Sequence, residues 1–215
     1  NISAFGGILT SNQTIDIKVA EQINKLFFEV LIAPNFSESA LDLLKSKKNR
    51  IIIKLISYPT NKLQTRSCLN GVLEQDIDDK IEKFEDFKVV TYISPNSTKS
   101  DDLVLASIIV KHTKSNCIAI VKNKQLIGSG MGQVSRIDAL NQAIEKSKKF
   151  GFDLNESCLA SDAFFPFSDC VEISHVNNIN AIVQPGGSIK DQDSIDFCNK
   201  NGMSMVFSGI RHFRH

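Results

Sequence analysis

Hydrophobic positions along the first part of the chain alternate between helical spacing and short continuous runs. Apolar residues at positions 19, 20, 23, 26 and 27 are spaced as on one face of a helix. The run VLIA ends at Pro34, which is typical of a buried strand, and Ser37 is a suitable helix cap. The predicted elements here are helices over residues 19–28 and 37–46 and strands over residues 30–33 and 51–56.

The second half of the chain repeats this alternation. Residues 136–150 are amphipathic, with Ala139, Leu140, Ala143 and Ile144 on one side. The predicted elements here are helices over residues 101–110, 136–150 and 191–201, strands over residues 117–121, 125–128, 181–183 and 205–207, and a short apolar segment over residues 159–167. Helices and strands that alternate through short loops predict an α/β fold.

Polar stretches interrupt the pattern in three places. Residues 57–70 are polar and turn-rich, residues 75–86 are acidic and lysine-rich, and residues 95–100 form a further break. We expect the second, residues 75–86, to be a solvated loop or connector. The predicted division assigns residues 1–95 to part of a first subdomain with its connector and residues 96–215 to a second subdomain.

Composition excludes several classes of protein. The net charge of the 215 residues is +1, so we expect no nucleic-acid partner, and no apolar run approaches the roughly 20 residues of a membrane span. The five cysteines are odd in number and contain no C-x-x-C, which argues against a disulfide scaffold and a zinc site. We expect reduced, mostly buried thiols in a cytoplasmic protein without a membrane partner.

Four polar or glycine-rich segments border the apolar runs, as binding loops do in open α/β sheets. They are KHTKSN (111–116), GSGMGQVSR (128–136), SDAFFPFSD (161–169) and QPGGSIKD (184–191). Glycines allow close backbone approach to a ligand, and a serine and an arginine at a helix start favour an anion. The residues alone leave alternatives open. The glycine segment is also a plausible structural turn, and the phenylalanine segment is also a plausible core strand that ends at Pro166.

These segments in this order, together with the terminal RHFRH, resemble the transformylase domain of the bifunctional AICAR transformylase/IMP cyclohydrolase family, where AICAR is aminoimidazole carboxamide ribotide. SAFGG at residues 3–7 and EVLIAP at residues 29–34 are similar to upstream motifs of that family, so the resemblance covers essentially the whole chain. It implies an α/β fold of two similar subdomains of cytidine-deaminase-like type, without zinc.

The resemblance also implies an activity. A formyl group passes from 10-formyltetrahydrofolate, the co-substrate, to the amine of AICAR, and a separate N-terminal domain of the full-length protein then closes the ring to IMP. The active sites form across a homodimer interface. Asn116 matches the catalytic asparagine. Positions matching AICAR contacts are Phe5, Gly6, Glu29 and Arg211, and those matching the folate side are Arg136, Phe164, Pro166, Phe167 and Asp169. Thr113, Ser115 and Asp162 match candidate potassium ligands.

One departure from the family pattern leaves two hypotheses. The family's proton-transferring Lys-His pair precedes the SAFGG motif, and Lys111-His112 aligns instead with the helix before Asn116. We therefore expect Lys111-His112 not to be that pair, and the chain by itself to have negligible turnover. The chain is then either part of a folate-dependent formyltransferase or a non-catalytic ligand-binding and dimerisation fragment of one. A zinc deaminase is disfavoured because H-x-E and P-C-x-x-C patterns are missing.

Overall fold

The computed structural model describes residues 5–214, which divide into two compact units at Ile77 and Asp78. The first unit contains a parallel three-stranded sheet in the order β1-β2-β3. Its elements are β1 Gly7–Thr10, α1 Ile17–Asn24, β2 Phe28–Ala33, α2 Glu38–Lys45 and β3 Ile51–Lys54, followed by an antiparallel hairpin of β4 Leu63–Cys68 and β5 Gly71–Asp76.

The second unit is built on a six-stranded mixed sheet in the order β6-β11-β10-β9-β7-β8. Strands β9, β10 and β11 are parallel to one another, while β7 runs antiparallel to both β9 and β8. The strands are β6 Lys88–Val89, β7 Ile118–Lys122, β8 Gln125–Gly130, β9 Ser157–Ser161, β10 Ile179–Gln184 and β11 Ser204–Phe207. The helices are α3 Ser97–Lys111, α4 Arg136–Lys149, α5 Asp169–Val176 and α6 Asp191–Lys200, with a short 3-10 helix at Phe84–Asp86.

Alternating side chains of the large sheet enter two separate cores. Ile118 and Ile120 pack in the cluster that includes residues of α4 and α5, whereas Ala119 and Val121 pack in the cluster that includes residues of α3. This is the period-two pattern of a strand with helices on both faces. The α/β prediction is therefore confirmed.

Local sequence explains most element boundaries and some errors. Asp16 caps α1 by accepting the N–H of Val19, and α1 ends at Asn24 rather than at the predicted residue 28. Phe28 is buried in β2, because pairing with β1 overrides the helical spacing. Residues 57–70, which are polar and turn-rich in sequence, contain β4, which was not predicted. All residues of the hairpin but one are exposed, which leaves no apolar alternation to detect.

Along the chain, the compact units divide at residues 77 and 78, whereas the predicted subdomain boundary lies at residues 95 and 96. Residues 78–95 lie with the second unit, whereas the predicted division assigned them to the first. The assignment of the two ranges to transformylase subdomains stays a prediction.

Among residues 5–214, no helix is both long and apolar enough to cross a bilayer. Four of the five cysteines are free and buried and Cys68 is exposed, as expected of mostly buried thiols.

Helix α4 lies unusually close to β8, and two glycines make this possible. A Cβ on Gly130 would lie 1.9 Å from the carbonyl oxygen of Ala139, and one on Gly128 would lie 2.3 Å from that of Ala143. These glycines of the GSGMG segment therefore accommodate a helix backbone, not a turn. The helix α4 begins at Arg136, after Ser135, whose hydroxyl caps it by accepting the N–H of Asp138.

We expect Gly130→Ala to lower the free energy of unfolding by at least about 2 kcal/mol, because the methyl group meets backbone that is unable to move aside as a side chain would. Ser129→Ala is the matched control, since it changes the neighbouring position of the same strand. Urea unfolding measures both. Equal midpoints for Gly130→Ala and the unchanged chain would show that α4 shifts without cost.

Candidate functional site

Five segments of the second unit meet at one edge of the large sheet. Strands β9, β10 and β11 end there, and the antiparallel pairing of β7 and β8 brings the start of β7 and the end of β8 to the same edge. Residues 111–116, 131–136, 162–168, 185–190 and 208–214 therefore lie together. An edge where parallel strands end is the usual place for a ligand in an open α/β sheet.

Asn116 lies at the start of β7 and is held by the glycine-rich segment. Its Nδ2 donates to the carbonyl oxygen of Gln133 at 2.9 Å, and the backbones of these two residues exchange N–H···O bonds of 3.3 Å. The N–H of Gly132 donates to the carbonyl of Lys114 at 2.8 Å. The amide of Asn116 is thus orientated by a partner that the sequence analysis had not identified.

Asp162 follows directly after β9 and carries a buried charge at this edge of the sheet. It is fully buried, and within residues 5–214 neither of its carboxylate oxygens has a hydrogen-bond partner. The nearest cation is Arg136, whose Nη2 lies 3.9 Å from Oδ1 of Asp162, too far for a hydrogen bond. Burial lowers the pKa of Arg136, and the charge of Asp162 opposes that shift. A buried carboxylate that accepts no hydrogen bond favours a further cation.

The other two candidate potassium ligands lie nearby. The hydroxyl of Thr113 donates to the carbonyl of Ile109 at 2.5 Å, and Ser115 Oγ accepts the N–H of Arg214 at 2.9 Å. Burial, followed by the charge of Asp162, raises the pKa of Cys117 to about 12, while a hydrogen bond with Thr113 opposes the shift. Thr113 and Asp162 therefore both lie close to Cys117. Among the described residues, no group of three or more His, Cys, Asp or Glu side chains is arranged to hold a metal ion.

The three rings of the phenylalanine-rich segment differ in burial. Phe165 is completely buried and its N–H donates to Oε1 of Gln184, so it belongs to the core. Phe164 is partly buried beneath Arg211, whose guanidinium carbon lies 4.6 Å from the ring centroid. Phe167 is 55% exposed, and Nζ of Lys190 lies 5.2 Å from the centroid of its ring. The strand β9 ends at Ser161 and not at Pro166, so only Phe165 fits the core interpretation, and a ligand contact of Phe164 and Phe167 stays a prediction.

The remaining residues on the predicted folate side surround these rings. Pro166 is exposed next to Phe167. Asp169 begins α5, and its Oδ1 accepts the N–H of Cys170 at 2.7 Å. Lys190 and Asp191 were not predicted. Asp191 accepts the N–H groups of Gly187 and Ser188, which shapes the loop before α6.

Lys111 and His112 differ in environment. Lys111 is buried at the end of α3, where its ammonium lies 3.6 Å from Oδ1 of Asp78 and donates to the carbonyl of Lys80. His112 is exposed. The ammonium of Lys111 is therefore engaged in contacts within the second unit.

The three predicted nucleotide contacts of the first unit are close to one another. The ring of Phe5 stacks on Phe27 with centroids 4.6 Å apart. Gly6 has a positive φ of 71°, and a Cβ there would lie 3.1 Å from Oε2 of Glu29. Glu29 also borders a pocket of about 360 Å³ whose wall includes Lys47, Lys48 and Arg50. Arg50 itself is fixed by Asn24, to which its Nη1 donates at 2.7 Å.

Comparison with known proteins agrees with the motifs that surround this edge. Residues 1–146 match the family described as AICARFT/IMPCHase bienzyme. The chain belongs to this family. A relative from Bacteroides thetaiotaomicron named bifunctional purine biosynthesis protein PurH is 54% identical over 214 residues. Proteins of the same name from Acetivibrio thermocellus and Aquifex aeolicus are 47% and 44% identical.

Each of these alignments covers the whole of this chain but only 42% of the relative. The chain thus spans about two fifths of the length of these family members. A solved structure from Thermotoga maritima, a diaminohydroxyphosphoribosylaminopyrimidine deaminase and 5-amino-6-(5-phosphoribosylamino)uracil reductase, is 17% identical, with a TM-score of 0.34. It covers 52% of this chain and 35% of that one, and the likeness is too low to establish a shared fold.

Proposed function

We propose that the chain carries nucleotide- and folate-binding parts of an enzyme that transfers a formyl group from 10-formyltetrahydrofolate to the amine of AICAR. The observation that carries the proposal is the meeting of Asn116, Phe167 and Arg211 at one sheet edge in a member of this family. In the full-length protein, the product would then be cyclised to IMP by another domain. A homodimer of cytidine-deaminase-like subdomains remains the expected assembly, which sedimentation of the full-length protein would test.

The nucleotide would be held by its phosphate. Arg211 is exposed and carries a planar, permanently charged group suited to two parallel bonds with phosphate oxygens. Its contact with Phe164 leaves the edge of the guanidinium available while the face rests on the ring. Within the first unit taken by itself, the family resemblance assigns nucleotide contacts to Phe5, Gly6 and Glu29, which lie next to one another.

The folate would lie against the exposed ring of Phe167. A flat heterocycle gains apolar contact and offset stacking from such a ring, and Pro166 extends the same surface. Lys190, near the face of Phe167, would place a positive charge beside the carboxylates of the folate. Arg136, at the start of α4, and Asp169, at the start of α5, border the segment.

Asn116 would orientate the reacting groups. Its amide is fixed by Gln133, and a fixed amide can hold the formyl oxygen or the attacking amine where the new C–N bond forms. The amine loses a proton as that bond forms, the bond between the formyl carbon and N10 of the folate breaks, and tetrahydrofolate leaves with a proton on N10. An amide has no accessible pKa near neutrality, so Asn116 is not the base. We assign proton removal to the Lys-His pair that the resemblance places before residue 3.

We expect Asn116→Ala in the full-length protein to lower kcat about 10²–10³-fold while AICAR affinity changes little, because the amide acts chiefly as the reaction proceeds. Asn155→Ala, an exposed change before β9 at the opposite edge of the sheet, should leave kcat unchanged. Steady-state turnover with both substrates measures this. If the full-length protein binds both ligands but has no turnover, the proposed formyl transfer is contradicted.

Two variants distinguish the residues that bind AICAR from those that bind the folate. Arg211→Ala should weaken AICAR binding by roughly tenfold or more, because a hydrogen bond to a charged group contributes about 1.5–3 kcal/mol. Phe167→Ala should instead weaken binding of the folate. Phe164→Ala is less suitable, because this ring also supports Arg211. Calorimetric titration of each variant with each ligand is the measurement, and equal losses for both ligands would contradict the assignment.

Potassium would fit beside Asp162. The orphaned oxygens of this buried carboxylate, with the hydroxyls of Thr113 and Ser115 nearby, form a set of hard oxygen donors that suits such an ion. The ion would supply positive charge that balances Asp162 and stabilises the Asn116 segment.

Potassium chloride should therefore raise the free energy of unfolding by roughly 1–3 kcal/mol over tetramethylammonium chloride of equal ionic strength, if its concentration is well above the dissociation constant. The difference should vanish in Asp162→Asn and persist in Asp193→Asn, an exposed control in the same unit. Thermal unfolding followed by calorimetry provides the comparison. A potassium effect that survives Asp162→Asn would place the ion elsewhere.

A further inference from the structure

His212 lies in a buried cluster of charged groups between the C-terminal segment and the start of the second unit. Its side chain is 2% exposed. Nδ1 lies 2.6 Å from Oδ2 of Asp78, and Nε2 lies 2.7 Å from Oε1 of Glu82, whose side chain is 1% exposed. None of these three residues has a role predicted from the sequence.

The two contacts determine the charge of the ring. A neutral imidazole donates from one nitrogen only, whereas each nitrogen of His212 meets a carboxylate oxygen at hydrogen-bond distance. Both nitrogens therefore carry a proton. With Lys111 beside Asp78, two cations face two carboxylates, so the charges of the cluster balance, and all of them but Asp78 are buried.

The backbone around His212 is fixed at the site edge by hydrogen bonds on both sides. The N–H of His212 donates to the carbonyl of Asp162 at 3.0 Å. Two residues on, the N–H of Arg214 donates to Oγ of Ser115, and the N–H of Ser115 donates to the carbonyl of Arg214 at 2.8 Å. The segment thus runs between the Asp162 loop and the loop that holds Asn116.

Arg211 precedes His212 and has weaker contacts of its own. Its guanidinium rests on the ring of Phe164, and its Nη2 lies 3.7 Å from the position that a Cβ on Gly187 would occupy. A cation over a ring at an exposed position is held weakly. The bonds of its neighbour are charged and buried, and they therefore restrain the backbone from which Arg211 projects.

We propose that His212 is a positioning residue for Arg211: bound between Asp78 and Glu82, it fixes the C-terminal segment so that the guanidinium of Arg211 is held in place for the phosphate of a nucleotide. This inference rests on the proposed function for the identity of the ligand. The role of His212 as an anchor of residues 208–214 rests on its own contacts.

The test compares AICAR with its riboside, which lacks the phosphate, in the full-length protein. His212→Gln keeps a donor and an acceptor but loses the charge and one of the two bonds. We expect it to weaken AICAR binding about tenfold, because the bonds of a displaced Arg211 to phosphate are lost, and to leave riboside binding unchanged. His175→Gln, which alters an exposed histidine at the end of α5, should change neither affinity.

A double-mutant cycle tests whether His212 acts through Arg211. In the His212→Gln background, Arg211→Ala should cost much less affinity for AICAR than it does in the unchanged protein. Additive losses, or equal losses for AICAR and riboside, would overturn the inference. If His212→Gln does not fold, Asp78→Asn removes the more exposed partner and should produce a smaller loss with the same dependence on phosphate.

Hydrogen exchange separates this inference from the proposed function. The amides of residues 208–214 should exchange faster in His212→Gln than in His175→Gln, because the anchor is lost. Failure of the unchanged protein to bind AICAR would contradict the proposed function, and exchange would then test the anchor alone. Unchanged exchange in His212→Gln would overturn the inference even if AICAR binds.

Discussion

The antiparallel pairing of β7 with β9 is the constraint on which the candidate site depends. It turns the start of β7, and with it Asn116, to the edge where β9, β10 and β11 end. A strand of five residues is roughly 17 Å long, so a parallel β7 would place Asn116 about that far from the Phe164 segment. The hairpin of β7 and β8 achieves this reversal and returns the chain to the same edge.

The close packing of α4 on β8 also bears on the position of Arg136 at the candidate site. Because Gly128 and Gly130 leave no side chain between strand and helix, α4 begins directly at the site edge and brings Arg136 to within 3.9 Å of Asp162. A buried carboxylate without hydrogen bonds is costly for stability. The two carboxylate oxygens without hydrogen bonds, beside the Asn116 loop, are the observation behind the proposed cation site.

The C-terminal segment, residues 208–214, makes hydrogen bonds with several of these elements. Its residues contact the Asp162 loop, the Ser115 backbone and the carboxylates of Asp78 and Glu82. Buried ion clusters contribute little net stability, because removing charges from water offsets their attraction. They do restrict the number of arrangements in which all the charges are paired. In this unit that restriction acts on the residue next to Arg211, which connects the core to the proposed phosphate contact.

The sequence by itself determined the α/β alternation, the positions of most helices and the motifs that identify the family. These are local properties, because apolar spacing and capping residues such as Ser37 report burial within one segment. Only the tertiary structure decided that Gly130 packs against a helix, that Phe165 is core while Phe167 is exposed, and that His212 joins Asp78 and Glu82. The physical reason is distance along the chain: His212 and Asp78 are 134 residues apart, and no local pattern records which charges will meet after folding.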